Sequence, residues 1–157
     1  MLFQKKLVFR CQDGALFAHH NRNITAENNI FAFNSSARVD RGGIGGFELT
    51  CRRNLFLYKV GKAVGDYGSE NCGRGVCAFD ENLYWNASGR PILFGNRSFA
   101  EWQAPRHDKK SFVADPLFVD SEKGDFRLRP GSAAAQISFE PWDFTTAGPR
   151  TISKSAN

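Results

Sequence analysis

One short pattern recurs along this chain: Asn29-Ile30-Phe31, Asn54-Leu55-Phe56 and Asn82-Leu83-Tyr84, at spacings of 25 and 28 residues. Self-similarity at a period of about 20–50 residues marks a repeat architecture, in which each unit buries its apolar face only by stacking on its neighbours. With the Asn as position zero, apolar columns stand five before it (Ile24, Leu49, Cys77) and three before it (Ala26, Cys51, Phe79). Two more stand one after it (Ile30, Leu55, Leu83) and three after it (Ala32, Leu57, Trp85). This is the alternation of strands with one buried face, so these columns are expected to face a core. The positions between them are polar or charged. Glu27, Arg52 and Asp80 share one column and Asn28, Arg53 and Glu81 another, so opposite charges fall above one another on an outer face.

Strands and corners without a helical period predict an all-β parallel solenoid of about three to four coils, with a tight corner at each Asn. Asn tolerates turn backbone, and its amide can bond the next coil, so a stacked Asn ladder is expected. Composition agrees. The 157 residues include 15 Phe and a single Met, and 41% are hydrophobic, which is strand stock enough for a core. No apolar run reaches the ~18 residues of a membrane span, and the N-terminus shows no secretory signal pattern.

The chain reads as one domain, with coils in residues 1–110 and a closing segment and tail in 111–157. Asp115-Pro116 begins an extended turn. Phe126 and Leu128 alternate with Arg127 and Arg129 as in a strand, and Pro130-Gly131 stops it. Ala133-Ala134-Ala135 suggests one helical turn, and Phe139, Pro141, Trp142 and Phe144 are apolar anchors. The tail is therefore expected to cap the solenoid or strap along it. By strict alternation, Phe31, Phe56 and Tyr84, with Phe33 and Tyr58, would point away from the core. Such a stack would be either a sugar-stacking platform or the surface that Trp142 and Phe144 cover.

Net charge is +5. No helix-turn-helix, zinc-finger or RNA-binding signature accompanies it, so no nucleic-acid partner is expected. Cys72 and Cys77 lack the two-residue spacing of a zinc or redox motif, and a disulfide between them suits an oxidising compartment. Four Asn-X-Ser/Thr matches begin at Asn23, Asn34, Asn86 and Asn96 and are read first as turns.

The segments Asn28–Phe33, Asp80–Asn86, Ala114–Asp120 and Gly124–Ser132 together resemble bacterial right-handed parallel β-helix repeat proteins of the pectate-lyase-like superfamily, over roughly residues 14–150. The closing segment resembles the C-terminal end of such proteins. The resemblance implies a carbohydrate-active protein, acting on or binding polysaccharide, with a lyase or glycoside hydrolase activity when complete. It also implies further coils upstream, a secretory signal, and an extracellular or periplasmic location, so the chain is read as a C-terminal portion. Gly14 to Asn23 resembles a coil that carries a His-rich patch in those proteins, with Phe17 where another His is expected.

Candidate catalytic residues are His19, His20, Asp40, Arg41 and Asp66. Asp40 and Asp66 lie eleven and twelve residues after their Asn. On adjacent coils, ~4.8 Å apart, they would converge as an acid/base pair or hold a Ca²⁺ ion. A lyase would use His19 or His20 as the base and cations to neutralise a uronate. Arg38, Lys59, Lys62, Tyr58 and Tyr84 are candidate substrate contacts. No other cofactor is expected, and the partner is a polysaccharide, acidic in keeping with the net charge. The alternatives are a non-catalytic structural or glycan-binding β-helix and an inactive fragment.

Overall fold

A computed structural model describes residues 1–12, 14–19, 23–34, 39–42, 49–65, 77–104 and 107–145, with backbone only for 17–19 and 39–42. The chain is an all-β parallel solenoid of about three turns. Its first face stacks β1 (Leu2–Gln4), β4 (Ile24–Glu27), β7 (Leu49–Arg52) and β9 (Cys77–Asp80) in that order. Its second face stacks β2 (Leu7–Phe9), β5 (Ile30–Ala32), β8 (Leu55–Tyr58), β10 (Leu83–Asn86) and β13 (Phe112–Val113). A third side pairs β3 (Leu16–His19) with β6 (Val39–Gly42). Register follows the sequence columns: Ile24, Leu49 and Cys77 stack, as do Ile30, Leu55 and Leu83.

Residues 1–12 form the first rung, which the Asn repeat does not reveal because Lys6 occupies the Asn position. Phe3 pairs with Ala26 and Val8 with Phe31. The segment after Gly14, expected as a coil of its own, is the third side of this first turn. Met1 and Leu2 are 70% and 60% exposed on the edge strand.

The corner lies one residue earlier than expected. Asn28, Arg53 and Glu81 adopt left-handed backbone, with φ of 55°, 53° and 57°. This conformation costs a side-chain-bearing residue about 1–2 kcal/mol and persists only where packing holds it. It shifts the side-chain alternation by one residue, so the Asn after it points inward. Phe31, Phe56 and Tyr84 therefore point inward too, which corrects the expected outward aromatic stack. They join Ile24, Leu49, Cys77, Ala26, Cys51 and Phe79 in the inner core, where Tyr58 is also fully buried. Ring centroids along the inner column are 5.1 Å apart for Phe31–Phe56 and 5.0 Å for Phe56–Tyr84. Burial of each such ring contributes about 1.5–3 kcal/mol.

The columns at one and three after the Asn face outward into a second core. Ile30, Leu55, Leu83, Ala32 and Leu57 pack there against Phe118, Phe126, Ile137 and Phe139, with Trp142 and Phe144 at the margin. The closing segment supplies this cover. Strands β14 (Phe118–Asp120) and β15 (Asp125–Leu128) form a hairpin around the 3₁₀ turn Ser121–Lys123. A second 3₁₀ helix, Ala133–Ile137, follows with Ser132 as its N-cap. The strap thus covers the aliphatic columns and not the aromatic ones.

The inward Asn side chains form the ladder. Asn54 Oδ1 accepts from Asn29 N at 3.0 Å and from Asn29 Nδ2 at 2.9 Å. Asn82 Oδ1 likewise accepts from Asn54 N at 3.1 Å and Asn54 Nδ2 at 3.0 Å. The amide nitrogens also donate across the turn, to Phe3 O, Ala26 O and Cys51 O. The ladder thereby satisfies buried backbone N–H groups at the corners that the strands leave unpaired. Outside, Glu27 takes Arg52 and Arg53 at 2.8 and 2.7 Å, as the charge columns predict.

The last rung is closed by a hairpin, β11 (Leu93–Phe94) with β12 (Arg97–Ser98), and by helix α1 (Phe99–Gln103). Ser98 and Glu101 form a capping box on that helix, and Trp102 beneath it is fully buried on Phe94.

Candidate functional site

Of the candidate catalytic residues, the structure describes His19, Asp40 and Arg41, by backbone alone, on the paired strands of the third side. On the third side, β3 and β6 run in register with Phe17 opposite Asp40, Ala18 opposite Arg41, and His19 opposite Gly42. Asp40 and His19 are therefore offset, and the residue facing Asp40 is the Phe that stands where a His was expected. His20, Arg38, Asp66 and Cys72 lie outside the described residues. Cys77 is in a disulfide, and Cys11 and Cys51 are free. No group of three or more His, Cys, Asp or Glu side chains comes together among the described residues. No helix among them is long and apolar enough to cross a membrane.

Tyr58 and Tyr84, expected at the surface, are both fully buried. Burial pushes both phenols up from their ordinary value, and for Tyr84 the nearby Asp108 adds to the effect. Tyr84 donates to Asp108 Oδ2 at 2.8 Å, and Trp102 Nε1 donates to the same oxygen at 3.0 Å. Ser111 Oγ and Asn82 Nδ2 donate to Oδ1. Ser111 stands at the Asn position of the last rung, and its Oγ accepts from Asn82 N at 2.6 Å. Asp108 is thus the terminal acceptor of the ladder. Burial pushes its carboxyl up, while these donors hold it down.

A concave surface occurs elsewhere, where the second face meets the closing segment. Trp85, three after its Asn, stands above Leu57 and Ala32 in the outward column and is half-buried. Trp85 lines two depressions. One, of about 350 Å³, is lined by Phe33, Trp85, Asp115, Leu117, Glu122 and Arg129 among others. The other, of about 450 Å³, is lined by Trp85, Arg90, Pro91, Ile92, Phe99 and Val113 among others. Parallel pairing of β13 with β10 carries the chain past Trp85, and Ala114 N bonds Tyr84 O at 3.2 Å. That pairing brings Val113 and Asp115 to the depressions that Trp85 lines.

The polar depression is organised. Asp115 Oδ1 accepts from Leu117 N at 2.8 Å, an Asx turn set by Pro116. Glu122 pairs with Lys59, whose ammonium lies 5.4 Å from the centre of the Phe33 ring. Arg10 donates to Glu122 O at 2.7 Å and so ties the first rung to the hairpin. Among the described residues, Lys59 is the one sequence-derived substrate contact found at this rim. Sequence reasoning missed Trp85 because its column was assigned to the core. The available signal was size: Trp overhangs a column that otherwise holds Ala and Leu.

No family model, curated protein or solved structure matches the chain.

Proposed function

We propose that this chain is the β-solenoid part of a carbohydrate-active protein and binds polysaccharide in the cleft divided by Trp85. The single observation that carries this reading is the half-buried Trp85, which lines two depressions, with Asp115, Glu122 and Arg129 around one of them. A pyranose offers an apolar C–H face and a rim of hydroxyls. An indole matches the first, and carboxylates with a guanidinium match the second. The solenoid holds Trp85 in a strand, so the platform is preorganised. The likeness of the closing segment to pectate-lyase-like β-helix proteins supports the same substrate class. The disulfide at Cys77 suits the extracellular or periplasmic location which that likeness implies.

The test is titration with a panel of soluble polysaccharides, followed by tryptophan fluorescence and calorimetry. Binding by wild type and at least tenfold weaker binding by Trp85→Ala, with unchanged circular dichroism, is the expected result. Equal binding by Trp85→Ala, or none by wild type, overturns the reading.

A catalytic reading has one observation in its favour: Asp115 and Glu122 line the same depression. Glycoside hydrolysis uses two carboxylates. Product release from any glycan that binds, lost in both Asp115→Asn and Glu122→Gln, would establish it.

A further inference from the structure

Resting on the binding reading above, we infer that the ligand is an uncharged oligosaccharide, long enough to cross Trp85 and fill both depressions. Length follows from the shared wall. The two depressions that Trp85 lines, of about 350 and 450 Å³, each fall within the range of small-molecule sites, about 300–1,000 Å³. A single sugar occupies one depression and leaves the other in water. An oligomer that passes Trp85 gains contact in both.

Lack of charge follows from the lining. The net charge of +5 suggests a polyanion, but it is not concentrated here. Around the polar depression the charges cancel locally. Glu122 is paired with Lys59, and Arg129, which also bonds Val119 O, offsets the charge of Asp115. Asp115 itself forms no direct ion pair among the described residues; its oxygen takes the Leu117 amide. A uronate therefore meets no net positive charge there, and against either carboxylate it meets like charge, whereas a hydroxyl donates to either. The second depression is walled by Pro91, Ile92, Phe99 and Val113, and burying a carboxylate there carries a desolvation cost. Arg90 is its one charged residue and is exposed, so its attraction is screened by salt.

The experiment compares two oligosaccharide series of equal lengths, neutral and uronate, by calorimetry at 50 and 300 mM NaCl. Neutral oligomers should bind at least tenfold more tightly at three or four units than as monosaccharides, then level off, with little salt dependence. Uronates of the same length should bind at least tenfold more weakly. Monosaccharides equal to oligomers, or uronates binding more tightly with steep salt dependence, would overturn this inference and leave glycan binding standing. No binding by either series, nor by the polysaccharide panel, would overturn both.

Discussion

Asn28 and Glu140, 112 residues apart, exchange two hydrogen bonds: Asn28 Nδ2 donates to Glu140 O and Glu140 N donates to Asn28 Oδ1, each at 2.7 Å. One corner side chain thus closes the strap over the second core. Asn suits both tasks here, since it tolerates left-handed backbone and presents a donor and an acceptor together. Asn28→Ala should destabilise the chain by about 2–3 kcal/mol through the lost bonds and the backbone penalty. Asn28→Gly relieves the backbone and isolates the bonds, at about 1–2 kcal/mol. Both should make the segment after Ile137 a faster target for limited proteolysis. A strap as resistant as in wild type would show that the apolar contacts alone hold it.

Asn54 sits mid-ladder, accepting from Asn29 and donating to Ala26 O and Asn82 Oδ1. Asn54→Leu keeps the heavy-atom count and branching, strands the Asn29 backbone N–H in the interior and loses the donor to Ala26 O there. A loss of about 3–4 kcal/mol in urea unfolding is expected, since each orphaned buried group costs about 1–3 kcal/mol. Asn29→Leu should cost less, because its outer neighbour is only the half-buried first rung. Equal losses at the two positions would contradict the picture of a ladder anchored at its inner end.

Asp108 gives a pH signature. Its carboxyl is raised above the ordinary 3.8 by burial. The folded state then holds the proton more tightly than the unfolded chain. This contribution to stability is complete below 3.8 and is lost as pH rises through the elevated folded value. The stability of wild type minus that of Asp108→Asn should therefore fall as pH increases over that window. Asp125 runs the other way: its bonds to Arg127 lower it to about 2, so its contribution is present above 3.8 and lost as pH falls toward about 2. A pH-independent difference for Asp108→Asn would mean that the donors around it offset the burial.

Thiol accessibility separates surface from core. Cys11 is exposed, while Cys51 is buried and its thiol is pushed well above its ordinary value by burial and then by Asp108. Without reductant, one thiol should react with a chromogenic disulfide in the native state and a second only on unfolding. Prompt reaction of both would place Cys51 outside the core described above.

Much of this fold was legible in the sequence. Asn29, Asn54 and Asn82 mark the rungs because a ladder needs an identical side chain at each one, and identity is what a repeat search detects. Pro116, Pro130 and the Ala133–Ala135 run mark the closing segment because their backbone preferences are local. The phase of the alternation was not legible. Arg53 and Glu81 are not residues that signal left-handed backbone, and only packing against neighbouring rungs holds them there. Trp85 was hidden by the same error, since a column placed inside the coil offers no binding surface. The first rung was hidden because Lys6 contributes its backbone N–H to Asn29 without an amide of its own.

The Asn ladder has a direction. Asn29 donates to Asn54, Asn54 to Asn82, and Asn82 to Asp108, and the backbone N–H groups bonded to each Oδ1 fix that sense. The side-chain dipoles therefore add head to tail, and their positive end rests on the one buried carboxylate among the described residues. The donors converging on Asp108 offset part of the burial that raises its carboxyl, as the N–H groups at the start of an α-helix favour a carboxylate. A polarised row cannot be reversed without placing donor against donor. The stack thus carries its own sense of orientation, which aliphatic columns of Ile, Leu and Val have no means to encode.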